Sequence, residues 1–204
     1  MKGKFITFEG SEGCGKSTQS KFLADYLRKK GRRVVYLREP GGIKISEDIR
    51  HILLDARNKG MCPECEMLLY MAARAQLVND IIKPALGRGL MVICDRFLDS
   101  TIAYQGYGLG MDIGFIKNVG AFSTKGINPD MTIFLDLPVK SGLKHRHKNK
   151  DRIERRSLAY HDKVRKGYLK IAGLEPERVK IVRVEPDKLL TRDSIRELVD
   201  RYVV

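Results

Sequence analysis

The chain has 204 residues, of which 39 are Lys or Arg and 25 are Asp or Glu, so its formal net charge is +14. A chain of this length fits one domain that buries about 70% of its unfolded surface. No run approaches the roughly 18 consecutive apolar residues that a membrane span needs, and the first residues lack the features of a signal peptide. We therefore expect a single domain over residues 1–204, located in the cytoplasm and without membrane contact.

A glycine-rich segment near the N-terminus fits the pattern G-x-x-x-x-G-K-[ST]. An apolar, strand-like segment precedes it, and apolar residues recur at helical spacing after it. Strand, glycine loop and helix form the context in which this pattern binds phosphate, because backbone N–H groups and the helix N-terminus attract the anion. The residues predicted to hold a nucleoside triphosphate are Gly10, Ser11, Glu12, Gly13, Cys14, Gly15, Lys16, Ser17 and Thr18.

Four polar side chains have specific roles in this prediction. Lys16 is expected to reach the β- and γ-phosphates of the nucleotide, and the Ser17 hydroxyl is expected to bind Mg²⁺. Asp95, which follows an apolar strand, is predicted to hold Mg²⁺ or its water across from the loop. Arg96 beside it is predicted to bind a second phosphate through two N–H groups. A purely structural ion pair between Asp95 and Arg96 is the alternative interpretation.

Apolar segments alternate with helical ones along the whole chain. Strands are predicted at residues 4–9, 34–37, 90–94, 131–136 and 179–184. Helices are predicted at residues 18–30, 45–54, 64–86, 101–107, 112–123, 158–172 and 189–204. This alternation predicts an α/β fold with a doubly wound, five-stranded parallel sheet, helices on both faces and ligands at the carboxyl ends of the strands.

Two of the four cysteines form the motif Cys62-Pro63-Glu64-Cys65. A C-x-x-C motif is either redox-active or half of a zinc site. The sequence supplies no second such motif and no evident further ligands, and this motif lies at a predicted helix start. The role of Cys62 and Cys65 stays open.

Several segments, taken together, resemble the thymidylate kinase family. They are the phosphate loop, which follows Phe8 and Glu9, and residues 38–42, 68–76, 95–105, 130–136 and 164–168. Residues 95–105 carry the pattern D-R-F-x-x-S-T-x-A-Y-Q, which is close to diagnostic. The resemblance implies a P-loop fold of the nucleoside monophosphate kinase type, with ATP and Mg²⁺ as cofactors. It also implies transfer of the γ-phosphoryl group of ATP to dTMP in dTTP synthesis, giving dTDP and ADP, and a homodimer.

The resemblance assigns the acceptor dTMP to side chains at or beyond the phosphate loop. An aromatic ring one helical turn before an arginine stacks on thymine in the family, and Tyr70 and Arg74 have that spacing on one helix face. Because an arginine only donates, facing O4 of the base it favours thymine over cytosine. Arg96 matches the residue on the acceptor phosphate, and Glu12 matches one that approaches the 3′-OH. Thr101 and Gln105 match positions near the base, and Tyr104 matches the ring near the ribose 2′ position. Arg38 and Ser100 are the remaining expected contacts of the acceptor.

A basic segment at about residues 144–156 lies where the family has a mobile lid. Phosphoryl transfer depends mainly on positioning and on neutralising the charge of the transferred group. The phosphate loop carries one lysine and no arginine, whereas some family members have an arginine there. The chain is therefore similar to the type that takes its arginine from the lid. Arg146 is the first candidate for this catalytic role and Arg152 the second.

Two other functions stay open at this point. The same fold can serve another nucleoside monophosphate or a small hydroxyl compound as acceptor, against which Tyr70, Arg74 and Tyr104 argue. A nucleic-acid-binding P-loop protein would use the net charge of +14. It would need a cationic groove with stacking aromatics, yet the chain has no Trp and its aromatic residues are scattered. We expect no nucleic-acid partner.

Overall fold

The structure is a computed structural model that describes residues 3–144 and 151–202. Its centre is a parallel sheet of five strands in the order β2-β3-β1-β4-β5. The strands are β1 Lys4–Glu9, β2 Val34–Arg38, β3 Met91–Asp95, β4 Met131–Asp136 and β5 Val179–Arg183. The predicted five-stranded parallel sheet is confirmed, and the strand bounds differ from the predicted ones by at most one residue.

Helices connect these strands. The α-helices are α1 Lys16–Lys29, α2 Lys44–Leu54, α3 Pro63–Leu77, α4 Lys83–Gly87, α5 Leu98–Thr101, α6 Ile113–Thr124, α7 Val139–Lys144, α8 Leu158–Leu174 and α9 Lys188–Tyr202. Two π-helical segments, Val78–Ile82 and Ile102–Gly108, continue α3 and α5. Within the described part of the chain, no helix combines the length and the apolar character that a membrane crossing requires.

Successive side chains of each strand face opposite layers of helices. Ile6 of β1 belongs to a buried cluster with Leu23 of α1 and Ile195 of α9. Its neighbour Phe5 belongs to a different cluster, with Leu77 of α3. Side chains alternate between the two faces of a sheet, and both faces are covered here. This double burial explains why the central strands are almost continuously apolar in sequence.

Two predicted helices are interrupted by wider turns. The helix expected over residues 64–86 becomes α3, a π-helical segment and α4, with Pro84 in the first turn of α4. A proline has no N–H and its ring crowds the preceding turn, so regular α-helical bonding does not continue through it. The helix expected over residues 101–107 is mostly the π-helical segment Ile102–Gly108. Such segments often occur at functional sites, and this one carries Tyr104 and Gln105.

The strand order brings the carboxyl ends of β1, β2 and β3 together at one edge of the sheet. The chain leaves β1 for β2 on one side, with β3 between them, and leaves β3 for β4 on the other side. Asp95 at the end of β3 is in register with Phe8 of β1 and Arg38 of β2. In doubly wound sheets, ligands bind where the strand order reverses. The carboxyl ends of β1 and β3 therefore define the position of the site.

Two glycines let the phosphate loop touch α7. A Cβ atom on Gly142 would lie 2.3 Å from the carbonyl oxygen of Glu12, and one on Gly13 would lie 2.0 Å from the carbonyl oxygen of Gly142. Both distances are far below van der Waals contact, and both neighbours are backbone atoms. The loop and α7 therefore support each other directly.

We expect Gly142→Ala to lower the free energy of unfolding by about 1–3 kcal/mol, because the added methyl group collides with backbone that moves only with the loop. Nucleotide affinity should fall as well. Urea unfolding and nucleotide titration measure the two effects. Gly173→Ala is the matched control, since a Cβ there meets nothing within 4 Å and should stabilise α8 by about 0.5–1 kcal/mol. Equal effects of the two substitutions would contradict the steric argument.

Candidate active site

The phosphate loop links the carboxyl end of β1 to the N-terminus of α1. Gly10, Gly13 and Gly15 have φ angles of 146°, 73° and 89°, which side chains with a Cβ rarely adopt. No side chain caps the first N–H groups of α1, so they are available to an anion. Lys16 Nζ donates to the carbonyl oxygens of Gly10 and Ser11 at 3.0 and 2.8 Å. Its ammonium group thus lies within the curl of the loop.

Ser17 and Asp95 meet across the crevice between β1 and β3. Ser17 Oγ donates to Asp95 Oδ2 at 2.5 Å. The other oxygen, Asp95 Oδ1, is buried and has no hydrogen-bond partner among the described residues. Hydroxyl and carboxylate oxygens are ligands that Mg²⁺ prefers, usually together with water and substrate phosphates. The pair therefore fits the predicted Mg²⁺ site, with an oxygen still free to bind a cation.

A metal site made only of protein side chains is absent from the described residues. No group of three or more His, Cys, Asp or Glu side chains within residues 3–144 and 151–202 has the arrangement to hold a metal ion. Cys62 and Cys65 are both exposed and free. Any Mg²⁺ bound by Ser17 and Asp95 would therefore take its other ligands from phosphate and water.

Arg96 connects the phosphate loop with the residues predicted to bind the acceptor. Its φ angle of 73° is in the left-handed region, which is uncommon for a residue other than glycine. Nη2 donates to Glu12 Oε1 at 2.7 Å and to the Tyr104 hydroxyl at 3.2 Å, and Nη1 donates to Ser100 Oγ at 3.1 Å. The Tyr104 hydroxyl donates to the same Glu12 oxygen at 2.7 Å. Four predicted site residues thus form one cluster.

The charges within this cluster stabilise each other. Burial by itself raises the pKa of Glu12, but the Arg96 guanidinium and the Lys16 ammonium outweigh it and lower that pKa to about 2. Burial opposes the charge on Arg96, whereas the Glu12 carboxylate raises the pKa of Arg96 well above its ordinary value. Burial also raises the pKa of Tyr104, so its hydroxyl keeps its proton. Glu12 and Arg96 therefore stay ionised at neutral pH.

Two cavities adjoin the cluster. A cavity of about 480 Å³ lies over the phosphate loop and includes Lys16, Ser17 and Asp95. A smaller cavity of about 100 Å³ is lined by Tyr70 and by Ser100, Thr101, Tyr104 and Gln105. The residues that line both cavities are Glu12, Glu39, Arg50, Arg96 and Asp151. The cavity over the phosphate loop and the smaller cavity therefore share a charged boundary.

Arg50 is a site residue that the sequence analysis missed. It lines both cavities and, with Lys16, Arg38 and Arg96, is one of the cationic side chains that line the larger one. Arg50 Nη1 donates to the Pro40 carbonyl at 3.0 Å, and Arg38 Nη2 donates to Glu47 Oε1 at 2.7 Å. Burial and the nearby Arg38 lower the pKa of Arg50. No local sequence pattern indicates Arg50, because its position depends on how α2 packs against α3.

Arg74 lies behind the smaller cavity and is not one of the residues that line it. The side chain is 2% exposed. Nε donates to Glu39 Oε2 at 2.8 Å, Nη1 to Thr101 Oγ1 at 3.0 Å and Nη2 to the Phe97 carbonyl at 2.9 Å. Arg74 therefore holds Thr101, which does line the cavity, and its expected direct contact with a base stays a prediction.

The basic segment is only partly described. Arg146, the first candidate for the catalytic arginine, lies outside the described residues. Arg152, the second, is 9% exposed, with Nη1 2.5 Å from Glu66 Oε2 and Nε donating to the Leu53 carbonyl at 2.9 Å. It lines neither of the two cavities. In place of the predicted phosphoryl contact, the structure has Arg152 in an internal ion pair, because a buried guanidinium requires a carboxylate partner.

A cavity over the phosphate loop and a second, smaller cavity, both lined by Arg96, fit the arrangement of a P-loop nucleotide kinase. A family model described as thymidylate kinase matches residues 8–195 of the chain. The chain therefore belongs to the thymidylate kinase family, and the family and activity predicted from its motifs are confirmed.

Individual relatives agree with this assignment. A thymidylate kinase of Geobacter sulfurreducens is 51% identical over 188 residues, covering 88% of each chain. One of Thermoanaerobacter sp. strain X514 is 46% identical over 204 residues, covering all of both chains. The crystal structure of thymidylate kinase from Ehrlichia chaffeensis superposes with a TM-score of 0.81 and 33% identity, over 98% of this chain and 99% of the other. The predicted P-loop kinase fold is confirmed by this similarity.

Glu9 is a buried carboxyl group directly before the phosphate loop. Oε1 accepts from the Phe97 N–H at 2.7 Å, and Oε2 accepts from Ser100 Oγ at 2.6 Å and from the Tyr168 hydroxyl at 2.9 Å. Burial, followed by the neighbouring Asp99, raises the pKa of Glu9 to about 7. A proton on this group thus persists in the folded state to a higher pH than in the unfolded chain.

This shift predicts a pH-dependent stability. Because the pKa is raised from 4.5 to about 7 on folding, the stabilisation from protonated Glu9 is complete below pH 4.5 and is lost as the pH rises through about 7. Glutamine does not titrate. We therefore expect the free energy of unfolding of Glu9→Gln to rise by about 1–3 kcal/mol relative to that of the native chain between about pH 5 and pH 8. Urea unfolding at both pH values measures the difference.

Asp48→Asn is the control for this experiment, because Asp48 is an exposed carboxylate. It should show no comparable change between the two pH values. A stability difference between Glu9→Gln and the native chain that stays constant with pH would contradict a raised pKa of Glu9.

Proposed function

We propose that this chain transfers the γ-phosphoryl group of ATP to dTMP, giving ADP and dTDP. The carrying observation is the Glu12–Arg96–Tyr104 cluster, which joins the phosphate loop to a second cavity with an aromatic ring and an amide in its wall. The family to which the chain belongs implies ATP as the phosphate donor. A nucleoside monophosphate suits the second cavity because arginines that line it can bind the phosphate, and Tyr70 and Gln105 can contact the base.

The donor side of the reaction is assigned to the phosphate loop. The loop N–H groups and Lys16 bind the β- and γ-phosphates, as in other P-loop enzymes. Ser17 and Asp95 would hold Mg²⁺, which when bound neutralises phosphate charge. Arg146 remains our candidate for the arginine that neutralises the transferred group.

The acceptor side is assigned to the three arginines and the smaller cavity. Arg38, Arg50 and Arg96 bind the phosphate of dTMP and orient it towards ATP. A phosphate oxygen of dTMP then forms a bond to the γ-phosphorus while the bond from that phosphorus to the β,γ-bridging oxygen breaks, which leaves ADP. The Tyr70 ring stacks on thymine. Tyr104 crowds the ribose 2′ position.

Thr101 connects the buried arginine to base recognition in this proposal. Its Oγ1 accepts from Arg74, so the hydroxyl hydrogen remains available to a ligand. That hydrogen suits O4 of thymine. Glu12, ionised and held by Arg96, approaches the 3′-OH of the acceptor sugar.

We also propose that the chain works as a single catalytic domain, as a cytoplasmic homodimer. Helices α3 and α6 pack together, with Ser123 Oγ donating to Met71 Sδ at 3.4 Å. They leave Leu68, Phe115 and Phe122 exposed by 51%, 53% and 85%, and exposed apolar patches of this kind commonly mark interfaces. The four free cysteines agree with a reducing compartment.

We expect ADP release from ATP and Mg²⁺ to be fastest with dTMP, slower with dUMP, and negligible with dCMP, dGMP and AMP. Loss of one methyl group costs only about 1–3 kcal/mol, so dUMP keeps some activity. Arg96→Ala should lower kcat/KM for dTMP by about 10²–10³-fold, as is typical when one charge-stabilising donor is removed. A coupled assay for ADP measures both.

Arg192→Ala, which removes an arginine paired with Asp193 on α9, should leave the rates unchanged. Fastest turnover with another acceptor would refute dTMP while leaving the phosphate loop intact. No turnover, combined with nucleic-acid retention that falls steeply with salt, would favour a binding protein instead.

The proposed dimer interface can be tested by substitution. Phe122→Glu should convert a dimer into a monomer in sedimentation velocity, because a charge in an apolar interface loses its hydration without gaining a partner. Leu174→Glu, at the end of α8 and also highly exposed at 72%, should leave the dimer intact. A native chain that sediments as a monomer at micromolar concentration would contradict the proposal.

A further inference from the structure

Glu66 is a fully buried carboxyl group in the first turn of α3. Its Oε1 accepts from Gln105 Nε2 at 2.7 Å. Its Oε2 accepts from Arg156 Nη2 at 2.6 Å and lies 2.5 Å from Arg152 Nη1. One carboxylate therefore joins α3, the π-helical segment of the acceptor cavity and the turn before α8.

The contact with Glu66 decides which atom Gln105 offers to a ligand. A carboxylate only accepts hydrogen bonds, so the part of the Gln105 amide that faces it must be the NH₂ group. Gln105 lines the smaller cavity. Within residues 3–144 and 151–202, no hydrogen bond ends at Gln105 Oε1. The carbonyl oxygen is thus the side of the amide that remains for a ligand, and it acts only as an acceptor.

We propose that Glu66 is a positioning residue for acceptor specificity, which fixes the Gln105 amide so that its carbonyl oxygen selects an imide base. The N3–H group of thymine or uracil donates to this oxygen. In cytosine N3 is itself an acceptor, so the two lone pairs repel each other. The inference rests on the proposed function, because it takes a pyrimidine monophosphate as the occupant of the cavity.

The two arginines keep Glu66 in place for this task. A buried carboxylate without partners would be very unfavourable, and the guanidinium groups of Arg152 and Arg156 compensate for the lost hydration. Arg156 Nη1 also donates to the Tyr160 hydroxyl at 2.7 Å, and that hydroxyl donates to the Tyr104 carbonyl at 3.2 Å. The carboxylate is therefore held from the side opposite Gln105 and does not rotate with it.

Glu66→Gln tests the proposal with little change in volume. The new amide both donates and accepts, so the Gln105 amide is free to turn and present NH₂ to N3 of cytosine. We expect the ratio of kcat/KM for dTMP to that for dCMP to fall by about 10–100-fold, the scale of one buried hydrogen bond. The change should lie in KM for the acceptor, with KM for ATP unaltered. Calorimetric dissociation constants for dTMP and dCMP without ATP should show the same loss of discrimination.

Three further variants distinguish a positioning role of Glu66 from a purely structural role. Glu64→Gln makes the same substitution at an exposed position of the same helix turn and should change neither the ratio nor the unfolding temperature. Gln105→Met leaves the pairs between Glu66 and the arginines intact, so it remains informative if Glu66→Gln does not fold, and it should lose the same discrimination. The double variant Glu66→Gln with Gln105→Glu restores an amide donor opposite a carboxylate, and it should recover part of the preference for dTMP.

The outcomes distinguish this inference from the proposed function. If the native chain phosphorylates dTMP but the ratio is unchanged in Glu66→Gln or in Gln105→Met, the positioning role is overturned and the proposed function stands. Equal losses with dTMP and dCMP, without recovery in the double variant, would show a purely structural role and also overturn the inference. A native chain that does not phosphorylate dTMP would overturn both.

Discussion

The ion pair between Arg96 and Glu12 is the contact on which the geometry of the site depends. It ties the end of β3 to the phosphate loop at 2.7 Å, and the left-handed backbone of Arg96 turns its side chain back over the loop. Two largely buried charges stay together because separating them leaves each without compensation. Since Tyr104 bonds to both partners, the same contact holds the phosphate loop at a fixed distance from the wall of the smaller cavity.

Similar pairs support the walls around that contact. Arg74 and Glu39 are almost completely buried, as are Arg152 and Glu66. Such pairs add little net stability compared with apolar packing, whereas losing one partner is strongly unfavourable. We interpret them as geometric constraints, because a guanidinium and a carboxylate bond well in only a few relative orientations. Each pair then determines what the neighbouring residue presents to the cavity, as with Thr101 beside Arg74.

The predicted site residues that the structure brings together at the phosphate loop are adjacent in sequence. The phosphate loop needs glycines at left-handed positions directly between a strand and a helix. That requirement can be recognised from consecutive residues of the sequence. The roles of other residues could not be predicted in this way. The position of Arg50 depends on how α2 packs against α3, and Arg152 points inward because it pairs with the buried carboxylate of Glu66. The π-helical turn that carries Tyr104 has the same apolar spacing as an ordinary helix, so periodicity alone did not reveal it.

Consecutive residues were therefore sufficient for the strands, the order of the elements, the phosphate loop and the motifs of the family. Strand burial follows from local hydrophobicity, and phosphate binding follows from local backbone freedom, so neither needs knowledge of distant contacts. Which charged residues pair with each other could be identified only from the tertiary structure. A buried charge takes whichever partner packing brings within about 3 Å, and the cost of desolvation makes that choice decisive. That is why the tertiary structure, and not the pattern of residues, assigned Glu66 to Gln105 and to its two arginines.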